Sequence, residues 1–122
     1  MRIFKNAWFR RFAKRQKISD KTLKQAIIRA DNGLIDADLG GHVIKQRIAR
    51  AGQGKSSGFR TIIIFKKEEK AFFVYGFAKN AQANISKQEL RAFKQAAKQL
   101  LALSDKQIEQ LLKNDALIEV DV

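Results

Sequence analysis

Between Gly58 and Asn80 the chain reads GFRTIIIFKKEEKAFFVYGFAKN: two apolar runs, Thr61 to Phe65 and Ala71 to Ala78, divided by the charged pentad Lys66-Lys67-Glu68-Glu69-Lys70. β-Branched and aromatic residues dominate both runs and the polar break is short, which predicts a β-hairpin. Nearly every position in the runs is apolar instead of every second one, so other parts of the chain are expected to cover both faces of the sheet. Upstream, His42 to Arg50 alternates, with Ile44, Gln46 and Ile48 on one face and Val43, Lys45, Arg47 and Ala49 on the other. Leu34 to Leu39 enters that strand through a Gly40-Gly41 turn, and the Gly- and Ser-rich stretch 51–58 reads as the loop leading to the hairpin.

The flanks have helical periodicity. Arg2 to Lys5 is expected to be a short edge strand with Ile3 facing inward. Asn6 then caps a helix carrying Trp8, Phe9 and Phe12 inside and Arg10, Arg11, Lys14 and Arg15 outside. These aromatics lie on the inner stripe, so we read them as core and not as a base-stacking platform. Ser19-Asp20 caps a second helix, Lys21 to Ala30, buried through Leu23, Ala26, Ile27 and Ala30 and stopped by Asn32-Gly33. Ser86-Lys87-Gln88-Glu89 is a capping box before the stripe Leu90, Phe93, Ala97, Leu100 and Leu101. Ser104 and Gln107 repeat the device ahead of Ile108, Leu111 and Leu112, and the tail alternates as a further edge strand would. The expected fold is α+β: an N-terminal helical hairpin, an antiparallel sheet of four strands or slightly more, and two C-terminal helices. A chain of 122 residues, 45% hydrophobic, supports one core, so a single domain over 1–122 is expected, with 103–122 as a C-terminal extension.

Composition narrows the chemistry. The absence of cysteine excludes disulfides and thiolate metal sites, and a single histidine argues against structural zinc. Neither a membrane span nor the apolar segment of a signal peptide is visible, so a cytoplasmic protein with no membrane partner is expected. The net charge of +13 is unevenly spread: residues 1–30 carry ten Lys/Arg against one acid, and 42–70 eight against two, whereas 71–122 carry seven against six. An excess of this size points to a polyanionic partner, most simply nucleic acid. Gly54-Lys55-Ser56 invites a phosphate-loop reading, but position 49, where the first glycine belongs, is alanine, and a strand follows where a helix is needed. Lys55 is better read as a basic loop residue touching phosphates.

The polar residues that stand out are Lys45 and Arg47 on one strand, Arg60 at the start of the next, and Tyr75 and Lys79 on and after the last. Arg60 shares a face with Ile62 and Ile64, and a guanidinium beside buried positions needs an anion: a substrate phosphate, or a carboxylate, whether Asp36, Asp38 or a C-terminal acid. His42 follows the Gly-Gly turn, where a solvated turn histidine competes with a role as general base.

Three segments carry a resemblance: His42-Val43-Ile44-Lys45-Gln46-Arg47-Ile48-Ala49-Arg50, then Gln53 to Thr61 with Gly58-Phe59-Arg60, then Phe72-Phe73-Val74-Tyr75-Gly76-Phe77-Ala78-Lys79-Asn80. Together they resemble the RelE/ParE superfamily of bacterial toxins, nearest its RelE/HigB-like branch, over about residues 1–100. The resemblance implies a type II toxin-antitoxin module whose toxin is a small basic endoribonuclease. Such a toxin cuts mRNA, often on the ribosome, without metal or cofactor, and is silenced by a cognate antitoxin that is a small DNA-binding protein. It assigns Arg60 to the scissile phosphate, with Lys45, Arg47, Lys79 and Tyr75 as further catalytic candidates. Arg50, Lys55, His42 and Asn80 become RNA-binding candidates. Gln82 stands near where RelE proper has an arginine, and the C-terminus has no catalytic tyrosine, since Tyr75 is the sole tyrosine. A ParE-like gyrase inhibitor and a non-catalytic nucleic-acid-binding module are the competing classes. The first predicts that Lys45, Arg47 and Arg60 are dispensable, the second a graded loss of binding with any lysine removed.

Overall fold

The computed structural model describes residues 1–49 and 58–121. Ten elements follow in order: β1 (Arg2–Asn6), α1 (Ala7–Arg15), α2 (Asp20–Asp31), β2 (Ala37–Asp38), β3 (Val43–Ile48), β4 (Phe59–Lys66), β5 (Lys70–Ala78), α3 (Lys87–Leu101), α4 (Asp105–Lys113) and β6 (Leu117–Glu119). The strands form one six-stranded sheet in the order β2-β3-β4-β5-β1-β6.

β2 to β5 make an antiparallel meander with the apolar hairpin β4–β5 in its middle. The sheet continues past β5, and this corrects the expected edge position of Arg2 to Lys5. β1 lies parallel to β5, with Phe4 opposite Phe72, and is covered on its other side by antiparallel β6. The physical reason is visible in β1 itself: Ile3 and Phe4 are neighbours pointing to opposite faces, and both are buried. A strand buried on both faces belongs inside a sheet. The tail supplies the edge instead, and Arg2 fastens it through Glu119 at 2.9 Å and Glu109 at 3.2 Å.

The pleat sorts the hydrophobic residues into two cores. Phe59, Ile63, Phe65 and Phe73 face α1 and α2, where they meet Phe9, Phe12, Leu23 and Ile27. Ile62, Ile64, Phe72 and Phe4 face the other way and meet Ala97 and Ile108 of α3 and α4. Each fully buried side chain of this size contributes roughly 1.5–3 kcal/mol of transfer free energy. The helices start where their caps dictate. Asn6, Ser19, Ser86 and Ser104 each accept a backbone N–H from the first turn, and the last two form full capping boxes.

One irregularity shapes the face discussed below. Ile63 pairs with Phe73 but Ile62 pairs with Tyr75, so Val74 is an extra residue in β5. Without this bulge Phe73 and Tyr75 would share a face. With it, Phe73 stays on the α1/α2 side and Tyr75 turns to the α3/α4 side. Asn6 Nδ2 donates to the Val74 carbonyl at 3.1 Å while its Oδ1 caps α1, so one side chain fixes both the bulge and the helix start.

Candidate functional site

Lys45 and Arg47 leave β3 on the α3 side because the strand alternates without interruption, while Gln46 points the opposite way and is buried against the Ala26 and Leu34 carbonyls. The β3–β4 register sets Arg47 directly opposite Arg60, and Lys45 opposite Ile62. Arg60 in turn stands opposite Phe77 on β5, and Ile62 opposite Tyr75. Four of the five catalytic candidates, Lys45, Arg47, Arg60 and Tyr75, therefore share one face at one end of the sheet. The register thus puts two guanidinium side chains at facing positions of adjacent strands, where both can address one phosphate.

Carboxylate and amide groups frame this face. Asp36 accepts the Arg47 backbone N–H at 2.7 Å and its guanidinium at 3.2 and 3.3 Å, with Arg29 Nη1 at 3.7 Å. Burial pushes the Asp36 carboxyl up, but these donors outweigh it and hold the group below the ordinary carboxylate range. Arg29 also donates to the Arg47 carbonyl at 2.7 Å, so α2 clamps the end of β3. On the other flank, Tyr75 OH donates to Gln82 Oε1 at 3.2 Å and Gln82 Nε2 donates to the Asn84 carbonyl at 2.8 Å. Lys45 Nζ reaches Asn84 Oδ1 at 3.4 Å. A chain of polar contacts thus ties Tyr75 to Lys45. The Tyr75 ring is half-buried, 4.6 Å from Trp8 and 5.8 Å from Phe93 between centroids.

The remaining candidates are dispersed. Lys79 and Asn80 are exposed just past β5, and the Lys79 N–H lies 3.5 Å from the Gly58 carbonyl, which puts them at the same sheet end as Arg60. His42 is at the opposite end of β3, with a left-handed φ of 64° and Nδ1 3.3 Å from the Phe65 carbonyl. It is not brought to the Arg47–Arg60 pair. Arg50 and Lys55, with the Gly54-Lys55-Ser56 stretch, lie outside the described residues.

Sequence reasoning misses the part played by three residues. Asp36, which the sequence offers as an anion for Arg60, holds Arg47 and Arg29. The register around the Gly40-Gly41 turn, with Ala37 opposite Lys45, is the signal that could have found this. Asn84 carries no signal, and Gln82 registers only as a missing arginine.

Comparison with protein families decides what kind of protein this geometry belongs to. Residues 1–120 match the family model described as the RelE toxin of the RelE/RelB toxin-antitoxin system. The chain belongs to the RelE toxin family. Membership covers nearly the whole chain, including α4 and β6, and makes this protein the toxin of a toxin-antitoxin pair with an antitoxin as its partner. No curated protein matches the chain. No helix among the described residues of this RelE-family toxin is long and apolar enough to cross a membrane.

Proposed function

We propose that this RelE-family toxin is a cytoplasmic endoribonuclease of the RelE/HigB-like branch. It works as a single domain that cuts mRNA engaged on the ribosome, with side-chain cations doing the work that a metal does in other nucleases. The observation that carries the reading is the register that opposes Arg47 to Arg60 on one sheet face, with Lys45 and Tyr75 beside them. Toxins of this family are generally ribonucleases.

Cleaving RNA requires a deprotonated 2′-hydroxyl, an in-line approach to phosphorus, and stabilisation of charge on the phosphorane. The two guanidiniums suit the last task, since forks of N–H donors match phosphate oxygens and need no reorganisation once oriented. Asp36 orients Arg47 by accepting from its Nε and Nη2. Lys45 is the amine on the same face, and in its unprotonated form it takes the 2′-hydroxyl proton as base. Tyr75, placed by Gln82, gives its hydroxyl proton to the leaving oxygen by exchanging its hydrogen bond to Gln82 Oε1 for one to that oxygen. Lys79 and Asn80 bind the flanking backbone.

The test is single-turnover cleavage of a messenger programmed on purified ribosomes, with a 2′-deoxy nucleotide placed at the mapped cut. Loss of cutting at that position alone is the expected result. Continued cutting at the deoxy position overturns the 2′-hydroxyl mechanism. A toxin that leaves RNA intact but blocks gyrase supercoiling overturns the ribonuclease reading as a whole.

A further inference from the structure

Lys87, Arg91, Lys94 and Lys98 on α3 are spaced four, three and four residues apart, which puts them in one row on the helix. Like charges at such spacings destabilise a helix. None of the four has an ion-pair partner among the described residues. Glu89, the one acid on α3, accepts the Ser86 N–H in the capping box.

Arg91, Lys94 and Lys98 form one wall of a cleft of about 520 Å³; His42 and Lys66 lie across it, and Ala97 and Leu101 contribute apolar lining. Lys94 passes over the Gly40-Gly41 turn so closely that a Cβ on Gly41 would sit 3.0 Å from its Cγ. Both glycines also have left-handed φ, so the turn admits the lysine stem because it has no side chains. At its other end the row begins beside the face described above, since Lys45 contacts Asn84 two residues ahead of the Ser86 cap. From Lys87 to Lys98 the helix rises roughly 16 Å. Along β3, His42 to Arg47 spans roughly 17 Å, the rise of about five stacked nucleotides.

We propose that the α3 row and its cleft are a second phosphate-binding track, holding the backbone of the same RNA strand whose neighbouring nucleotides lie on the Lys45–Arg47–Arg60 face. The inference rests on the ribonuclease reading and extends it to the α3 cations, which the sequence did not single out. A line of cations matches a line of phosphates.

The test is fluorescence anisotropy on the full chain with labelled, uncleavable 2′-O-methyl single strands of about four and about twelve nucleotides, across the range of roughly 50–200 mM salt. Arg91→Gln/Lys94→Gln/Lys98→Gln is compared with the intact protein. Lys98→Gln alone, exposed and away from the glycine turn, guards against a folding defect in the triple variant. On the longer strand the triple variant is expected to weaken binding at least tenfold and to flatten the slope of log K against log salt by about 2, at roughly 0.7 per phosphate. The short strand is expected to bind both proteins alike, and Lys98→Gln to lower the slope by about 0.7. Unchanged affinity and slope on the longer strand, with translation-coupled cutting intact, overturn the track and leave the ribonuclease reading standing. Absence of both binding and cutting by the intact protein removes both. Tighter binding of a Glu/Leu amphipathic peptide than of RNA, lost in the triple variant, would give the cleft to a protein partner and overturn the proposal.

Discussion

Replacing Gly76 by alanine drives a methyl group into the Phe12 ring, because a Cβ at this position stands 2.6 Å from Cε2 and 3.1 Å from Cδ2 and Cζ. Carbon atoms rest about 3.5–4.0 Å apart, so roughly 1 Å of space must be found. The ring cannot easily yield it. Phe12 is 5% exposed and is packed by Trp8 at 5.3 Å, Phe9 at 5.6 Å and Phe59 at 5.5 Å between centroids. Nor is β5 free to retreat, since Gly76 is paired with Thr61 between Tyr75, opposite Ile62, and Phe77, opposite Arg60. Overpacking of this kind costs about 1–3 kcal/mol, and about 2 kcal/mol corresponds to a fall in Tm of roughly 8 °C for a domain of this size. Thermal and urea unfolding followed by circular dichroism measure it in Gly76→Ala, Phe12→Leu and the double variant. The smaller leucine side chain should relieve the clash, so the double variant is expected to lose at least about 1 kcal/mol less than the sum of the singles. A Gly76→Ala protein melting with the wild type, or strict additivity, would refute this packing.

Three further outcomes follow from the contacts. Asp36→Asn removes the counter-charge that orients Arg47, so cleavage should fall by up to ~100-fold through misplacement; equal rates for wild type and variant would show that Arg47 needs no such support. Asn6→Ala loses both the α1 cap and the hold on the Val74 bulge. Unfolding should show a loss of about 1–2 kcal/mol, and the Tyr75 ring resonances should shift in NMR spectra; an unmoved Tyr75 would detach the bulge from Asn6. In acid, Asp36 and Glu119 act together. Donors on Arg47 and Arg29 outweigh burial at Asp36, and the Arg2 hydrogen bond leads at Glu119, so both fall below their ordinary values of 3.8 and 4.5. Their stabilisation is complete above those values and is lost as pH drops through the lower folded ones. Urea midpoints measured from pH 6 downward should therefore decline starting at about pH 4–5, and less steeply in Asp36→Asn.

What is legible in the sequence follows from local pattern. The apolar density of Thr61 to Phe65 and Ala71 to Ala78 marks the sheet centre, and the uninterrupted alternation of β3 places Lys45 and Arg47 together on the face that also carries Arg60. Cap residues give the helix starts directly. Long-range pairing and register defects are not legible. The partners of β1 come from residues 70–73 and 117–119, and nothing in the local sequence encodes a parallel neighbour; only the adjacency of two apolar side chains, Ile3 and Phe4, hints at an interior strand. The face taken by Tyr75 depends on one extra residue at Val74, which no period-two reading of β5 contains. Asp36 shows a different limit. Its charge is plain in the sequence, but its pairing with the exposed Arg47 is set by hairpin register.

Primer extension on a reporter message in a translating bacterial extract, comparing the intact toxin with Arg60→Ala and with Arg60→Lys, tests most directly whether RNA is cleaved on the Arg47–Arg60 face. If Arg60 holds the scissile phosphate, new cuts require translation, vanish with Arg60→Ala, and return only weakly with Arg60→Lys, since an ammonium keeps the charge but lacks the guanidinium fork. Cutting by Arg60→Ala at the wild-type rate and positions would contradict the assignment of that face as the place of cleavage.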